Sequence, residues 1–169
     1  LHALIREVIR ENKRIIFNGN GYGAAWEEEA ARRGLLNLPA TPDCAPYYIS
    51  DKNIQLFTRH KVFSETELRA RYEILLQSYC QVVSIEAKTM IAMAWEEVFP
   101  AVSAFSGKLS SDAAAKQAFL GGASCAYETD TVSLLTELLD SAHNIVSDLS
   151  AALETAHAKQ TIEERSRYL

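Results

Sequence analysis

The sequence lacks the features of several large protein classes. Its three cysteines, Cys44, Cys80 and Cys125, are far apart and odd in number, and no C-x-x-C motif is present. This argues against a secreted disulfide framework, so we expect a cytoplasmic protein. No apolar run approaches the roughly 20 residues of a membrane-spanning helix. The charged opening LHALIREVIRENKR does not resemble a signal peptide. We therefore expect no membrane partner.

Positive charge is also in short supply. The chain has 17 Lys and Arg against 22 Asp and Glu, which gives a formal net charge of -5. Because neutralising phosphates requires a basic face, we expect no nucleic-acid partner. Hydrophobic residues make up 48% of the chain, so the composition is that of a folded domain rather than of a disordered segment.

Motifs for catalysis and metal binding are scarce. The four histidines, His2, His60, His143 and His157, show neither H-x-x-x-H nor H-E-x-x-H spacing, and no cysteine lies beside them. We therefore predict no metal site within this chain. The G-x-S-x-G motif of a serine nucleophile is absent from the sequence as well.

Helical periodicity, in contrast, is abundant. The predicted helices span residues 1–14, 24–33, 51–60, about 35 residues after Ser64, 112–122 and 129–165. The capping box Ser64-Glu65-Thr66-Glu67 begins the first long helix. Its apolar stripe is predicted to be Leu68, Tyr72, Leu75, Tyr79, Val82, Glu86, Met90 and Met93. The stripe of the last helix is Leu134, Leu138, Ala142, Ile145, Leu149, Ala152 and Ala156, widened by Leu135, Leu139, Val146 and Leu153. We predict an all-α fold, an antiparallel bundle with two long amphipathic helices after a short segment of helices and loops.

Three stretches are predicted to be non-helical, and one proline is expected to interrupt a helix. Residues 15–17 are a short β-prone run, and residues 34–47 contain three prolines and read as a loop. Pro100 is expected to kink or end the first long helix. Residues 103–112, SAFSGKLSSD, are expected to form a break. Both ends of the chain fall inside helical patterns, so we expect it to be part of a longer protein.

The stretch from Gly19 to Ala24, GNGYGA, matches the dinucleotide-binding pattern G-x-G-x-x-G/A. The helix behind it begins with Trp26 and three glutamates, 27–29, whose carboxylates would oppose a bound phosphate. No second strand with an acidic end follows, as such a site requires. We therefore expect the glycines to form positive-φ turns, with Tyr22 and Trp26 packed nearby and the three glutamates on a solvated face.

Glu86 and Glu97 lie on or beside the apolar stripe of the first long helix. Each could be a buried acid with a shifted pKa and a catalytic role. Each could equally form an ion pair with Arg69, Arg71 or Lys88 where two helices meet. The sequence leaves both readings open.

Three segments together identify a family resemblance. KRIIFNGNGY, followed by the pattern W-x-E-E-A-x-R-R-G-L-x-N-L, resembles the C-terminal region of type III glutamine synthetases. The similarity continues through KNIQLFTRHKVFSETELRARYEILLQSY and IEAKTMIAMAWEEVFPAV. It covers roughly residues 1–104, and beyond residue 105 the match is in Ala- and Leu-rich helical character.

The resemblance implies a parent enzyme that makes glutamine from glutamate, ammonia and ATP, with Mg²⁺ or Mn²⁺. The family's metal-binding and ATP-binding residues lie upstream of this region, so we expect no catalytic, cofactor-binding or metal-binding residue here. Residues 1–62 would pack on the catalytic barrel. Residues 63–169 would form a helical bundle that contacts the barrel or neighbouring subunits of a homo-oligomer. Asn18, Asn20 and Tyr22 are candidate residues at the junction with the catalytic barrel.

A second hypothesis belongs to a different class of function. The chain could be a free-standing helical module for protein interaction that shares these helices with the synthetases. The two hypotheses differ in whether a catalytic domain is encoded upstream of Leu1.

Overall fold

The computed structural model describes residues 1–122 and 124–169, and this part of the chain is all-α. Its helices are α1 His2–Glu11, α2 Ala24–Arg32, α3 Thr41–Tyr48, α4 Asp51–Arg59, α5 Glu65–Met93, α6 Phe99–Leu120, α7 Ala126–His157 and α8 Ile162–Tyr168. A 3₁₀ turn, Lys13–Ile15, follows α1, and a π-helical turn, Ala94–Val98, joins α5 to α6. No strand occurs in the described residues. The predicted all-α class is confirmed.

The long helices pack antiparallel. Helix α7 lies along α6 and α5. Lys116 of α6 pairs with Glu128, Trp95 of the π turn contacts His143, and Ser84 of α5 lies 3.3 Å from His157. The residue numbers of these partners increase along α7 while those on α6 and α5 decrease, which is the pattern of antiparallel packing. Helices α3 and α8 pack on α5, which is the central helix of the structure.

Local sequence signals set most of the helix ends. The backbone N–H of Glu67 donates to Ser64 Oγ at 3.3 Å, and the N–H of Ser64 donates to Glu67 Oε2 at 2.7 Å, so the predicted capping box is formed. Thr161 and Glu164 form a second capping box, which begins α8. Helix α6 ends at Gly121, whose φ of 62° lies in the left-handed region that glycine adopts without strain.

Two of the expected non-helical stretches are wrong in whole or in part, and a third is only partly helical. Residues 103–112 lie within α6, where the hydroxyls of Ser110 and Ser111 donate to carbonyls one turn earlier and are thereby satisfied. The proline-rich loop contains α3, because Pro42 occupies the first turn of that helix, where no N–H is needed. The β-prone run forms a 3₁₀ turn up to Ile15, followed by an extended residue, Ile16.

The last predicted helix is also too long. Helix α7 ends at His157 and α8 begins after Thr161, so the pattern predicted over 129–165 contains a turn. The short helix predicted over 112–122 is the end of α6, and Ala123 lies outside the described residues.

Helix α5 turns a different face inward from the predicted one. Its buried residues are Leu68, Leu76, Cys80, Ser84 and Ala87. Beyond Tyr72 this face is rotated by about one residue from the predicted stripe, of which Leu75, Val82, Glu86, Met90 and Met93 are exposed. On α7, Leu153 and Ala156 are buried as predicted, whereas Leu134, Leu138 and Ile145 are exposed. Both long helices therefore carry an apolar stripe that no described residue covers.

The exposed area is large for a chain of this size. The accessible surface is 12611 Å², whereas a folded monomer of this mass exposes about 8300 Å². Among the described residues, the largest side chains that are fully buried are Leu68, Leu76 and Ser166. The structure therefore has a thin core and much surface that a compact monomer would bury.

Candidate functional site

A cleft with a volume of about 1060 Å³ lies between α1 and α2. One side of α1 lines it with Ile5, Arg6, Ile9 and Arg10, at the three- and four-residue spacing that places side chains on one helix face. The remaining lining residues are His2, Lys13, Arg14, Ile16, Asn18, Arg32 and Arg33. We call this cleft the cationic cleft, because six of the residues that line it are Arg or Lys.

Arg33 holds the two sides of the cationic cleft together. Its Nη1 donates to the carbonyl oxygen of Arg14 at 3.0 Å and to that of Ile16 at 2.5 Å. Its Nε donates to Glu29, one turn earlier in α2. One guanidinium thereby links α2 to the 3₁₀ turn that follows α1, in a geometry that the planar fork of arginine allows.

Glu29 is the carboxylate that organises this link. It accepts hydrogen bonds from Arg32, at 2.6 Å from Nε, and from Arg33. These two guanidinium groups lower the pKa of Glu29 from 4.5 to about 2. The expectation that all three glutamates of residues 27–29 lie on a solvated face is therefore wrong for Glu29.

The other cations of the cleft have no carboxylate partner. Arg6, Arg10, Lys13 and Arg14 form no ion pair with another described residue. They stand beside the exposed side chains of Ile5 and Ile9. The surface of α1 is therefore both apolar and positively charged, a combination suited to contact with an acidic surface that also carries apolar groups.

One of the three candidate junction residues lines this cleft, and the other two lie in the turn that follows it. Asn18 lines it. Asn20 shapes the following turn, since its Oδ1 accepts from the N–H of Tyr22 at 3.0 Å and its carbonyl accepts from the N–H of Gly23 at 3.2 Å. The side chain of Tyr22 is fully exposed. The expectation that Tyr22 packs nearby is wrong, and the functional role of the three residues remains a prediction.

The expectation that the glycines of this turn adopt positive φ is wrong, and close packing requires glycine at one of the three positions. Neither Gly19, Gly21 nor Gly23 has a positive φ. A Cβ at Gly19 would lie 2.5 Å from the Phe17 ring, which packs on Trp26 with 4.9 Å between ring centroids. Glycine is therefore needed at position 19 because an aromatic ring occupies the space of a side chain.

The carboxylates considered as catalytic candidates lie elsewhere. Glu86 and Glu97 are both exposed, and neither forms an ion pair with a described residue. Among residues 1–122 and 124–169, no three His, Cys, Asp or Glu side chains are placed so that they could hold a metal ion. No helix of the described residues is long and apolar enough to cross a membrane. The absence of a metal site remains a prediction.

The sequence contained a signal for the cationic cleft that a search for motifs misses. Arg6, Arg10 and Arg14 recur every four residues in the first predicted helix, beside the apolar pair Ile5 and Ile9. That spacing predicts a basic face next to an apolar one. The contribution of Arg33 depends on contacts across 17 and 19 residues, which no local pattern reveals.

The fold places the chain among all-α proteins, and comparison with known proteins gives the family. Residues 1–117 match the model of the glutamine synthetase C-terminal domain. A glutamine synthetase of Butyrivibrio fibrisolvens is 46% identical over 132 residues, which are 76% of this chain and 19% of that protein. The chain belongs to the glutamine synthetase C-terminal domain family, and the predicted resemblance is confirmed.

Two further relatives agree with this assignment. A type-3 glutamine synthetase of Dictyostelium discoideum is 38% identical over 100 residues, 59% of this chain and 14% of that protein. A glutamine synthetase of Bacteroides fragilis is 26% identical over 170 residues, 98% of this chain and 23% of that protein. The chain spans less than a quarter of the length of each of these relatives.

Proposed function

We propose that this chain is the C-terminal helical domain of a type III glutamine synthetase. The parent enzyme would join ammonia to glutamate at the expense of ATP, and this domain would have a structural and assembly role without activity of its own. The family match and the short span of the relatives that the chain covers support the proposal. The observation that carries it is the exposed surface.

The exposed surface exceeds that of a compact monomer of this mass by about 4300 Å² on this one chain. An obligate interface of roughly 2,000–5,000 Å² is counted over both partners, so it takes about half of that area from each. The excess is therefore larger than one partner's share of a single such interface. Part of this surface consists of exposed apolar side chains on the long helices. Exposure of apolar side chains to water is unfavourable. A domain that is covered by the rest of a larger enzyme has this character.

Residues 1–62 are the proposed contact with the catalytic part. Every residue of α1 is exposed, including the apolar stripe Leu4, Ile5, Val8 and Ile9. An isolated helix of ten residues is marginal in water, so packing of this stripe would stabilise it. The cationic cleft next to it would meet an acidic surface of the catalytic barrel.

Residues 63–169 are the proposed contact with neighbouring subunits. The uncovered stripes of α5 and α7 run along two adjacent long helices, and Leu134, Leu138 and Ile145 are spaced as in helix–helix seams. A homo-oligomer would cover these stripes with a second copy of the same helices.

ATP and Mg²⁺ or Mn²⁺ belong to the parent reaction, and the described residues of this chain do not fit them. Mg²⁺ on a nucleotide is bound through one or two carboxylates plus the phosphates of the substrate, and no group of three or more His, Cys, Asp or Glu side chains is placed to hold a metal ion in the described residues. The first turn of α2 carries Glu27, which would repel a phosphate at that helix end. We therefore propose that the cofactors bind entirely within the catalytic part.

Hydrogen exchange tests the proposed contact of α1. In the isolated 169-residue chain, amides of residues 2–11 are expected to exchange within seconds. In the parent enzyme they are expected to exchange at least a hundredfold more slowly, because α1 is covered. Amides of the Leu76 region of α5 provide the control, since that face is buried in both proteins. Equal exchange of α1 in both proteins would contradict the proposal and favour a free-standing interaction module.

Substitution in the parent enzyme gives a second test. Ile5→Glu together with Ile9→Glu is expected to reduce assembled enzyme and glutamine formation by tenfold or more, because two charges would be buried without partners. Glu7→Gln with Glu11→Gln, on the opposite face of the same helix, is the control. Unchanged activity and assembly in the Ile variant would oppose the proposed contact. Phosphate release dependent on ATP and glutamate by the isolated chain would oppose its catalytic silence.

A further inference from the structure

We propose that a second cleft, between α5, the end of α7 and α8, binds a small oxyanion through a carboxylate or phosphate group. We call this second cleft the α8 cleft. It lies in a different part of the chain from the cationic cleft, and the inference does not depend on the proposed function. It has a volume of about 340 Å³, enough for a molecule of the size of an amino acid.

The α8 cleft is lined by polar and cationic side chains along one face of α5. Gln77, Gln81, Ser84 and Lys88 follow one another at three- and four-residue spacing. The amide groups of the two glutamines and the ammonium of Lys88 are hydrogen-bond donors, and donors are what an oxyanion requires. Opposite them stand His157, the last residue of α7, and Arg165 of α8.

The positive charge in the α8 cleft is not neutralised by a carboxylate among the described residues that line it. None of the described residues that line it is a carboxylate. Lys88 and Arg165 form no ion pair with a described residue. The nearby thiol of Cys80 adds no negative charge, since burial raises its pKa. Two cations therefore face a small cavity with no anion to compensate them.

The carboxylates of α8 are directed elsewhere. Glu164 accepts from the N–H of Thr161 in the capping box that begins α8. Glu163 lies against Tyr72 and, together with burial, raises the pKa of that phenol. The arrangement leaves Arg165 as the charged side chain that α8 contributes to the cleft.

Arg165 retains a donor without an acceptor. Its Nη2 donates to the carbonyl oxygens of His157 at 3.2 Å and of Lys159 at 3.4 Å, which fixes the guanidinium at the end of α7. Its Nε is buried and has no hydrogen-bond partner among the described residues. A buried donor without a partner is unfavourable, so hydrogen bonding around this guanidinium is incomplete. Arg165 lines the cleft, and an oxyanion bound there would form a charge-assisted interaction with the guanidinium.

Ser84 and His157 connect the two walls of the cleft. His157 Nε2 lies 3.3 Å from Ser84 Oγ, so the two side chains connect the middle of α5 to the end of α7. A ligand bound between Lys88 and Arg165 would contact α5, the end of α7 and α8. Binding is therefore expected to stabilise the association of α8 with the rest of the structure.

Calorimetric titration of the full 169-residue chain tests the inference. Inorganic phosphate and succinate are titrated separately, at constant ionic strength set with chloride, to distinguish a phosphate from a carboxylate ligand. We expect saturable binding of at least one of them. Lys88→Gln and Arg165→Gln are each expected to weaken it by about tenfold or more, because each removes a charge-assisted hydrogen bond.

Lys108→Gln is the matched control, because it removes the same charge from an exposed position of α6. It is expected to change the affinity by less than about twofold. If Arg165→Gln fails to fold, as judged by circular dichroism, Lys88→Gln and Ser84→Ala decide the result. Absence of saturable binding of both probes would overturn the inference. An equal loss of affinity in Lys108→Gln would overturn it as well, because binding would then reflect overall charge.

Discussion

Leu75 and Leu76 are consecutive residues of α5 that lie in opposite environments, with exposed fractions of 40% and 1%. Leu76→Ala is expected to lower the free energy of unfolding by about 2–5 kcal/mol, because it leaves a cavity in the thin core. Leu75→Ala is expected to cost less than about 1 kcal/mol in the isolated chain. Urea denaturation of both variants measures the difference, and equal losses would contradict the helix face described above.

Glu29 makes stability depend on pH in the acid range. Its pKa is lowered from 4.5 to about 2 by Arg32 and Arg33, so the folded state holds it charged. Its contribution to stability is therefore complete above pH 4.5 and is lost as the pH falls toward 2. Glu29→Gln should destabilise the chain at pH 6 and have little effect near pH 2. Glu28→Gln, at an exposed neighbouring position, is the control in denaturant titrations across the same range, and an equal loss of stability in that variant would contradict the role of Glu29.

Gly19 and Gly21 differ in the space available to a side chain. Gly19→Ala is expected to displace the Phe17 ring from Trp26, because its Cβ would lie 2.5 Å from that ring. Gly21→Ala meets nothing within 4 Å and is the control. Fluorescence of Trp26, measured in a Trp95→Phe background, should change for the first variant only. An identical spectrum for both variants would contradict the close approach of Phe17.

Ser64 begins the central helix through its capping box with Glu67. Ser64→Ala is expected to cost about 1 kcal/mol, because the N–H of Glu67 loses its acceptor. Ser78→Ala, an exposed position within α5, serves as the control and should leave stability almost unchanged. Thermal unfolding followed by circular dichroism measures both. A loss for Ser78→Ala as large as that for Ser64→Ala would argue against a specific capping role.

The sequence predicted the features that depend on neighbouring residues. The all-α class, the capping box at Ser64 and the stop at Gly121 follow from spacing and backbone preference. The extent of α6 was missed because its serines satisfy their own hydroxyls within the helix, which composition does not show. The location of α3 was missed because Pro42 lies in its first turn, where a proline favours a helix, and because Pro46 is accommodated inside it.

The buried face of α5 and the cationic cleft were beyond the reach of local patterns. The helix is apolar on more than one side, so the sequence alone could not decide whether Leu75 or Leu76 faces inward. The link of Arg33 to the carbonyl groups of Arg14 and Ile16 crosses two elements. Glu29 was predicted to be solvated because the sequence does not distinguish it from Glu27 and Glu28. In the part of the chain that the structure describes, only Glu29 of the three accepts hydrogen bonds from Arg32 and Arg33.

The π turn Ala94–Val98 has a consequence for the relation between α5 and α6. A wide turn of this kind contains one residue more than a regular helix would need, and it accommodates Pro100 close behind it. Removing one residue from the turn would rotate α6 by about 100° relative to α5. Trp95 and Phe99, whose rings lie 5.4 and 6.3 Å from His143, would then leave α7. The number of residues in this turn therefore determines the rotation of α6 about its axis, so that α5 and α6 both direct side chains toward α7.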